Sequence, residues 1–124
     1  MKPLLLALLL AIPLQADEWT KTEVVAEATF QTLLFLDYRQ TSEFHRYGKV
    51  DPNGTVHTIG ERNMLLGSSP KQATINLVCL LSAVGHLLVS DMMGHDRIVW
   101  QAATILIEAY SVGHNHSIGV RIRW

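Results

Sequence analysis

Apolar residues dominate three long segments of the chain, and charged or turn-forming residues separate these segments. Residues 72–90 contain no Asp, Glu, Lys or Arg, and an uninterrupted run of that length is typical of a transmembrane helix. Residues 98–120 are also long enough to cross a bilayer, although they carry one carboxylate, Glu108, near their centre. The pattern predicts an all-α fold, a small bundle of about three mostly transmembrane helices at about 20–44, 70–93 and 97–116.

The first of these helices has the shortest apolar centre, so it either spans the membrane or lies at its interface. Glu23 and Glu27 fall in its early turns, where carboxylates interact favourably with the helix dipole. The second helix is predicted to begin at Ser69-Pro70, and the tight connection Gly94-His95-Asp96 predicts that the third runs antiparallel to it.

The N-terminus predicts a secretory signal peptide. Lys2 precedes an apolar run over residues 4–12, and Ala16 offers a small residue just before Asp17. We therefore expect residues 1–16 to be a signal peptide and residues 17–124 to form a single helical membrane domain.

A loop over residues 45–69 joins the first two helices. Its strongest feature is the turn signal Asp51-Pro52-Asn53-Gly54, because proline presets one backbone angle and Asn-Gly tolerates positive ones. Residues 55–59 are predicted to pair briefly as a strand.

Composition supports membrane association and argues against nucleic acid as a partner. The chain is 48% hydrophobic and 17% charged, against about 25% charged in ordinary soluble domains. Its formal charge of -1 leaves no basic excess to neutralise phosphates. The expected partners are the lipid bilayer and another membrane protein or a second copy of the chain. The single cysteine, Cys79, excludes an intrachain disulfide.

The distribution of Lys and Arg predicts orientation. With three spans and the N-terminus outside, the single outer hairpin carries only Arg97, beside Asp91 and Asp96. Seven cations fall at or in the cytoplasmic loop or tail: Arg39, Arg46, Lys49, Arg62, Lys71, Arg121 and Arg123. This bias predicts a bacterial inner-membrane protein with a cytoplasmic C-terminus.

Polar residues recur at helical spacing on two of the helices. One stripe comprises Gln101, Thr104, Glu108, Ser111 and Asn115, and the other Asn76, Cys79, Ala83, His86 and Ser90. If the stripes face each other, Glu108 pairs with His86 first and with Asn76 second. We predict an intramembrane polar network of Asp37, Thr41, Glu61, Asn63, Asn76, His86, Gln101, Glu108 and Asn115.

A metal or proton site is the sharper alternative, drawn from His86, Glu108, His114 and His116. His114 and His116 are two residues apart, which does not place them on one helix face, and no His-x-x-x-His pair is present. No cofactor is therefore expected. The chain also lacks a Gly-x-Ser-x-Gly elbow and a glycine-rich phosphate loop, so an enzyme is not the favoured interpretation.

Three short motifs carry a resemblance to a protein family. They are Asp37-Tyr38-Arg39-Gln40-Thr41, then Glu61-Arg62-Asn63 with Gly67 and Pro70, and finally Glu108 with His114-Asn115 and Gly119. With these motifs the chain resembles small uncharacterised membrane proteins of proteobacteria and their phages, except that Met64 stands where those proteins carry proline. The resemblance implies a multi-helix membrane fold and no established activity.

The favoured function is therefore a structural or interaction role in the inner membrane. Three alternatives remain: a phage holin-like lysis protein, a membrane metal-binding protein or enzyme that uses the histidines and Glu108, and a soluble exported helical bundle.

Overall fold

The computed structural model describes residues 18–43 and 71–124, together with the backbone of two short strands. Its helices are α1 (Lys21–Glu43), α2 (Gln72–Met92) and α3 (Arg97–Ser117), and a 3₁₀ turn, Gly94–Asp96, joins the last two. The predicted fold of three helices is thus confirmed for the described residues, with bounds close to those predicted. The expected signal peptide, residues 1–16, lies outside them.

Two three-residue strands pair in the connection between α1 and α2. Strand β1 (Gly48–Val50) runs antiparallel to β2 (Val56–Thr58), with Lys49 opposite His57. The brief strand predicted over residues 55–59 is therefore confirmed.

A capping box begins α1. The Glu23 backbone N–H donates to Thr20 Oγ1 at 3.2 Å, and the Thr20 N–H donates to Glu23 Oε2 at 2.7 Å. These reciprocal bonds satisfy backbone groups that the first helical turn leaves without partners.

A glycine turn ends α3 at Ser117, before the end of the apolar segment over residues 98–120. Gly119 has φ +97°, the Val120 N–H donates to the Asn115 carbonyl at 3.0 Å, and the Gly119 N–H donates to the His116 carbonyl at 3.1 Å. This pair of bonds is the Schellman motif, which glycine favours because it lacks a Cβ. Val120 is fully buried and anchors the turn.

Helix α1 lies between the other two, because it contacts both α2 and α3 more extensively than these two contact each other. Its interface with α2 holds the apolar core, in which the contributing residues are spaced four apart on each helix. The core comprises Phe30, Leu34 and Tyr38 of α1 with Ile75, Cys79 and Ala83 of α2. The contacts between α1 and α3 include several side-chain hydrogen bonds, made by Gln40, Gln101 and Asn115.

Among the described residues, α2 is the one helix that is long and apolar enough to cross a membrane. Only 33% of its most apolar stretch is buried inside the protein. Helices α1 and α3 do not reach that standard, so the prediction of three spans is supported by composition for one helix alone.

Candidate functional site

The Glu27 carboxylate lies at the point where the three helices meet, and four side chains donate hydrogen bonds to it. Oε1 accepts from Gln31 Nε2 at 2.8 Å and lies 3.0 Å from His86 Nδ1. Oε2 accepts from Ser90 Oγ and from Gln101 Nε2, both at 3.1 Å. A carboxylate has about four lone-pair positions, so these donors fill its capacity. One side chain of α1 thereby connects to both other helices.

His86 extends this network to α3. Its Nε2 lies 2.7 Å from Thr104 Oγ1, and its ring stacks on Phe30 with centroids 3.5 Å apart. The Trp100 ring covers it at 5.4 Å. A neutral ring donates from Nδ1 to Glu27 and accepts the Thr104 hydroxyl at Nε2, whereas a protonated ring donates from both nitrogens.

Thr104 can serve both forms of the ring. When His86 donates to it, the hydroxyl turns to the Trp100 carbonyl, 2.9 Å away. The network therefore accommodates either protonation state of His86 without leaving a ring nitrogen unpaired.

Arg97 and Glu23 close the network at one end of the bundle. Arg97 Nη1 donates to Glu23 Oε2 at 3.3 Å, and its Nε donates to the Ser90 carbonyl at 2.7 Å. The guanidinium also lies over the Trp19 ring, 4.4 Å from its centroid. Arg97 is only 1% exposed, so the cation predicted for the outer hairpin has a buried side chain at the start of α3.

A second group of polar contacts lies toward the other end. Asn115 Nδ2 donates to Asp37 Oδ1 at 2.9 Å, and the Tyr38 hydroxyl donates to Asn76 Oδ1 at 2.9 Å. Gln40 Nε2 donates to the Val112 carbonyl at 3.2 Å. Three residues of the predicted network, Asp37, Asn76 and Asn115, are thus placed in contacts between helices.

Glu108 does not pair with His86, whose ring nitrogens contact Glu27 and Thr104 instead. Nor does Asn76 bond to it, since that amide contacts Tyr38 and Gln72. Glu108 Oε2 is buried, and the described residues give it no hydrogen-bond donor. It borders a half-open cavity of about 70 Å³, lined by Leu34, Asp37, Tyr38, Thr41, Ile75, Val78, Cys79, Ser82 and Glu108.

The four candidate metal ligands do not converge. His86 is held by Glu27, His114 stacks on Tyr110 with ring centroids 6.0 Å apart, and His116 is exposed. Over residues 18–43 and 71–124 no three His, Cys, Asp or Glu side chains come close enough to share a metal ion.

The structure also shows network members that the sequence analysis missed. Glu27 and Glu23 were interpreted only through the helix dipole, yet they are 7% and 8% exposed. A signal was present in their spacing, because Glu23, Glu27 and Gln31 lie four apart and share one face of α1. Of the predicted members, Gln101 bonds Glu27, Thr41 lines the cavity, and Glu61 and Asn63 lie outside the described residues.

Comparison of the chain with family models, with curated proteins and with solved structures gives no significant match.

Proposed function

We propose that this protein is a small integral membrane protein with a structural or interaction role, whose helices are joined by the Glu27 network. The observation that carries the proposal is the inverted distribution of polarity. Large apolar side chains point outward on α2 and α3, among them Leu81 at 61% and Leu106 at 71% exposed. Polar side chains point inward, and both Ser90 and Gln101 are 0% exposed. Lipid is the solvent that suits such a surface.

The hydrogen bonds of the network provide an attraction between helices in a membrane, where the hydrophobic effect between them is weak. Lipid tails are as apolar as leucine, so apolar contacts between helices gain little from exclusion of water, and packing and hydrogen bonds must hold the bundle together. Glu27 accepts bonds from α2 and α3 at the same carboxylate. A shift of either helix along α1 would break several of these bonds at once. The Glu27 carboxylate therefore holds α2 and α3 in one register against α1.

The distribution of charge supports the orientation in this proposal, with the C-terminus in the cytoplasm of a bacterial cell. Arg39, Arg121 and Arg123 lie at the end where α1 and α3 finish. The opposite end carries Asp91 and Asp96. Cytoplasmic ends of membrane helices are typically enriched in Lys and Arg.

Extraction of membranes with alkaline carbonate tests the proposal. The full chain is expected to stay in the membrane pellet, because carbonate releases proteins held only by polar contacts. The Glu27→Gln variant is a matched control that keeps hydrogen-bonding capacity and should also remain in the pellet. Recovery of the parent chain in the soluble fraction would contradict the proposal and favour the soluble exported bundle.

A further inference from the structure

Positive charge gathers at one end of the bundle. Within the described residues, the end formed by the close of α1, the start of α2 and the close of α3 has two carboxylates, Asp37 and Glu43. It has four cations: Arg39, Lys71, Arg121 and Arg123. The other end has the reverse balance, with Lys21 and Arg97 against Glu18, Glu23, Asp91 and Asp96. The first end is therefore the more attractive one to an anion.

The C-terminal segment is held against one of these cations, Arg39. After the turn at Gly119, buried Val120 fixes the start of the segment. The Arg39 guanidinium then donates a hydrogen bond through Nη2 to the Arg123 carbonyl, which holds the segment across the end of α1. Arg39 Nε is buried, and the described residues offer it no acceptor. The bond from Nη2 lies at the surface, so this outer end of the guanidinium, and not the buried Nε, is the part that an external anion can contact.

The same segment presents an aromatic side chain and further charge to its surroundings. Trp124 is 88% exposed, and Arg123 is exposed beside it. Arg121 Nη1 donates to the carbonyls of His116 and Val120, which holds this side chain close to the end of α3. Tryptophan next to arginine is typical of the level at which lipid head groups lie.

We propose that Arg39, Arg121, Arg123 and Trp124 form a binding surface for the phosphate of an anionic phospholipid. The inference rests on the proposed membrane location. Charge complementarity selects the ligand, because a zwitterionic lipid carries a compensating cation whereas an anionic lipid does not. Tryptophan would pack at the glycerol level while the guanidinium groups contact the phosphate.

Lipid titration of the full chain in a mild detergent tests the proposal, with thermal unfolding as the readout. Phosphatidylglycerol is expected to raise the Tm well above the value reached with the same amount of phosphatidylcholine. Each cation near an anionic surface contributes about fivefold in affinity. The double variant Arg121→Gln with Arg123→Gln should therefore lower the apparent affinity for phosphatidylglycerol, read from the concentration that raises the Tm, by about 25-fold. Arg121→Lys with Arg123→Lys should retain most of it, because the positive charge is kept.

Lys21→Gln is the matched control, since it removes a cation from the opposite end and should leave the lipid effect unchanged. Equal Tm values with the two lipids would overturn the proposal, as would an equal effect of millimolar inorganic phosphate, which would assign the site to a soluble anion. A double glutamine variant that responds to phosphatidylglycerol like the parent would also overturn it. If the chain stays with membranes in carbonate but shows no lipid preference, only the lipid site is contradicted. If carbonate releases the chain, the proposed function as a membrane protein is contradicted as well.

Discussion

Replacing Glu27 with leucine removes the common acceptor of the network while keeping a side chain of similar size. Three of its four donors have no route to water, because Ser90 and Gln101 are 0% exposed and His86 is 5% exposed. Gln31 is less affected, since it is only half-buried and also donates to the Ala83 carbonyl at 3.1 Å. The variant therefore leaves three buried donors without the acceptor they share.

The expected loss of stability follows from those donors. A buried donor left without a partner costs about 1–3 kcal/mol, and Gln101 retains a second acceptor in the Glu23 carbonyl at 3.1 Å. We expect Glu27→Leu to lower the free energy of unfolding by about 3–5 kcal/mol.

Glutamine at the same position should cost far less, about 1 kcal/mol. Its oxygen can still accept from Ser90 and Gln101. Its amide can donate to His86 Nδ1 once the ring proton moves to Nε2, and the ring then donates to Thr104. Leucine and glutamine are similar in size, so the difference in the free energy of unfolding between the two variants reports the contribution of hydrogen bonding.

The assay is unfolding of the full chain in mild detergent, titrated with sodium dodecyl sulfate and followed by helical circular dichroism. Glu108→Leu is the matched control, because Glu108 Oε2 has no donor among the described residues. That control should change the free energy of unfolding by less than about 1 kcal/mol. Our reasoning would be refuted if Glu27→Leu were as stable as the parent, or if Glu108→Leu cost as much as Glu27→Leu.

Further predictions concern glycine, arginine and the N-terminus. Gly113→Ala should stabilise the protein by about 0.5–1 kcal/mol, because Gly113 lies in α3 with open space where alanine would place its methyl group. Gly119→Ala should destabilise the protein by about 1 kcal/mol, because φ at Gly119 is +97°. Chemical unfolding measures both changes. Arg97→Lys should lower the Tm, because lysine cannot reproduce the bonds of the guanidinium to both Glu23 and the Ser90 carbonyl. The intact mass of the protein purified from membranes should correspond to a chain that begins at Asp17, and a mass that includes residues 1–16 would show that the N-terminal segment is retained.

The three helices could be predicted because apolar periodicity and turn residues are local signals. The same local signals located the strand near Val56, since proline, asparagine and glycine precede it. The end of α3 was predicted at residue 116 and lies at Ser117, although the apolar segment over residues 98–120 did not itself mark that end. Apolar residues continue past Ser117, and only the backbone conformation of Gly119 reveals that the chain turns there.

The network was harder to predict because spacing within one helix does not define its register against another. The polar faces of α2 and α3 were identified, and both contribute to the site through His86 and Gln101. The central acceptor was assigned to Glu108, since it lies at the middle of its apolar segment. The structure instead places Glu27 opposite His86, a pairing across 59 positions of the chain that no local pattern encodes.

The claim that the apolar faces of α2 and α3 contact lipid can be measured directly by spin labelling in reconstituted vesicles. Single labels would be placed by Leu81→Cys and Leu106→Cys in a Cys79→Ala background, with His95→Cys as the control because the His95 side chain is 90% exposed beyond the end of α2. We predict that both leucine-site labels collide with oxygen, which concentrates in lipid, and are shielded from a water-soluble nickel chelate, while the His95 label shows the opposite preference. Equal access of the nickel chelate to all three labels would contradict a membrane-embedded bundle.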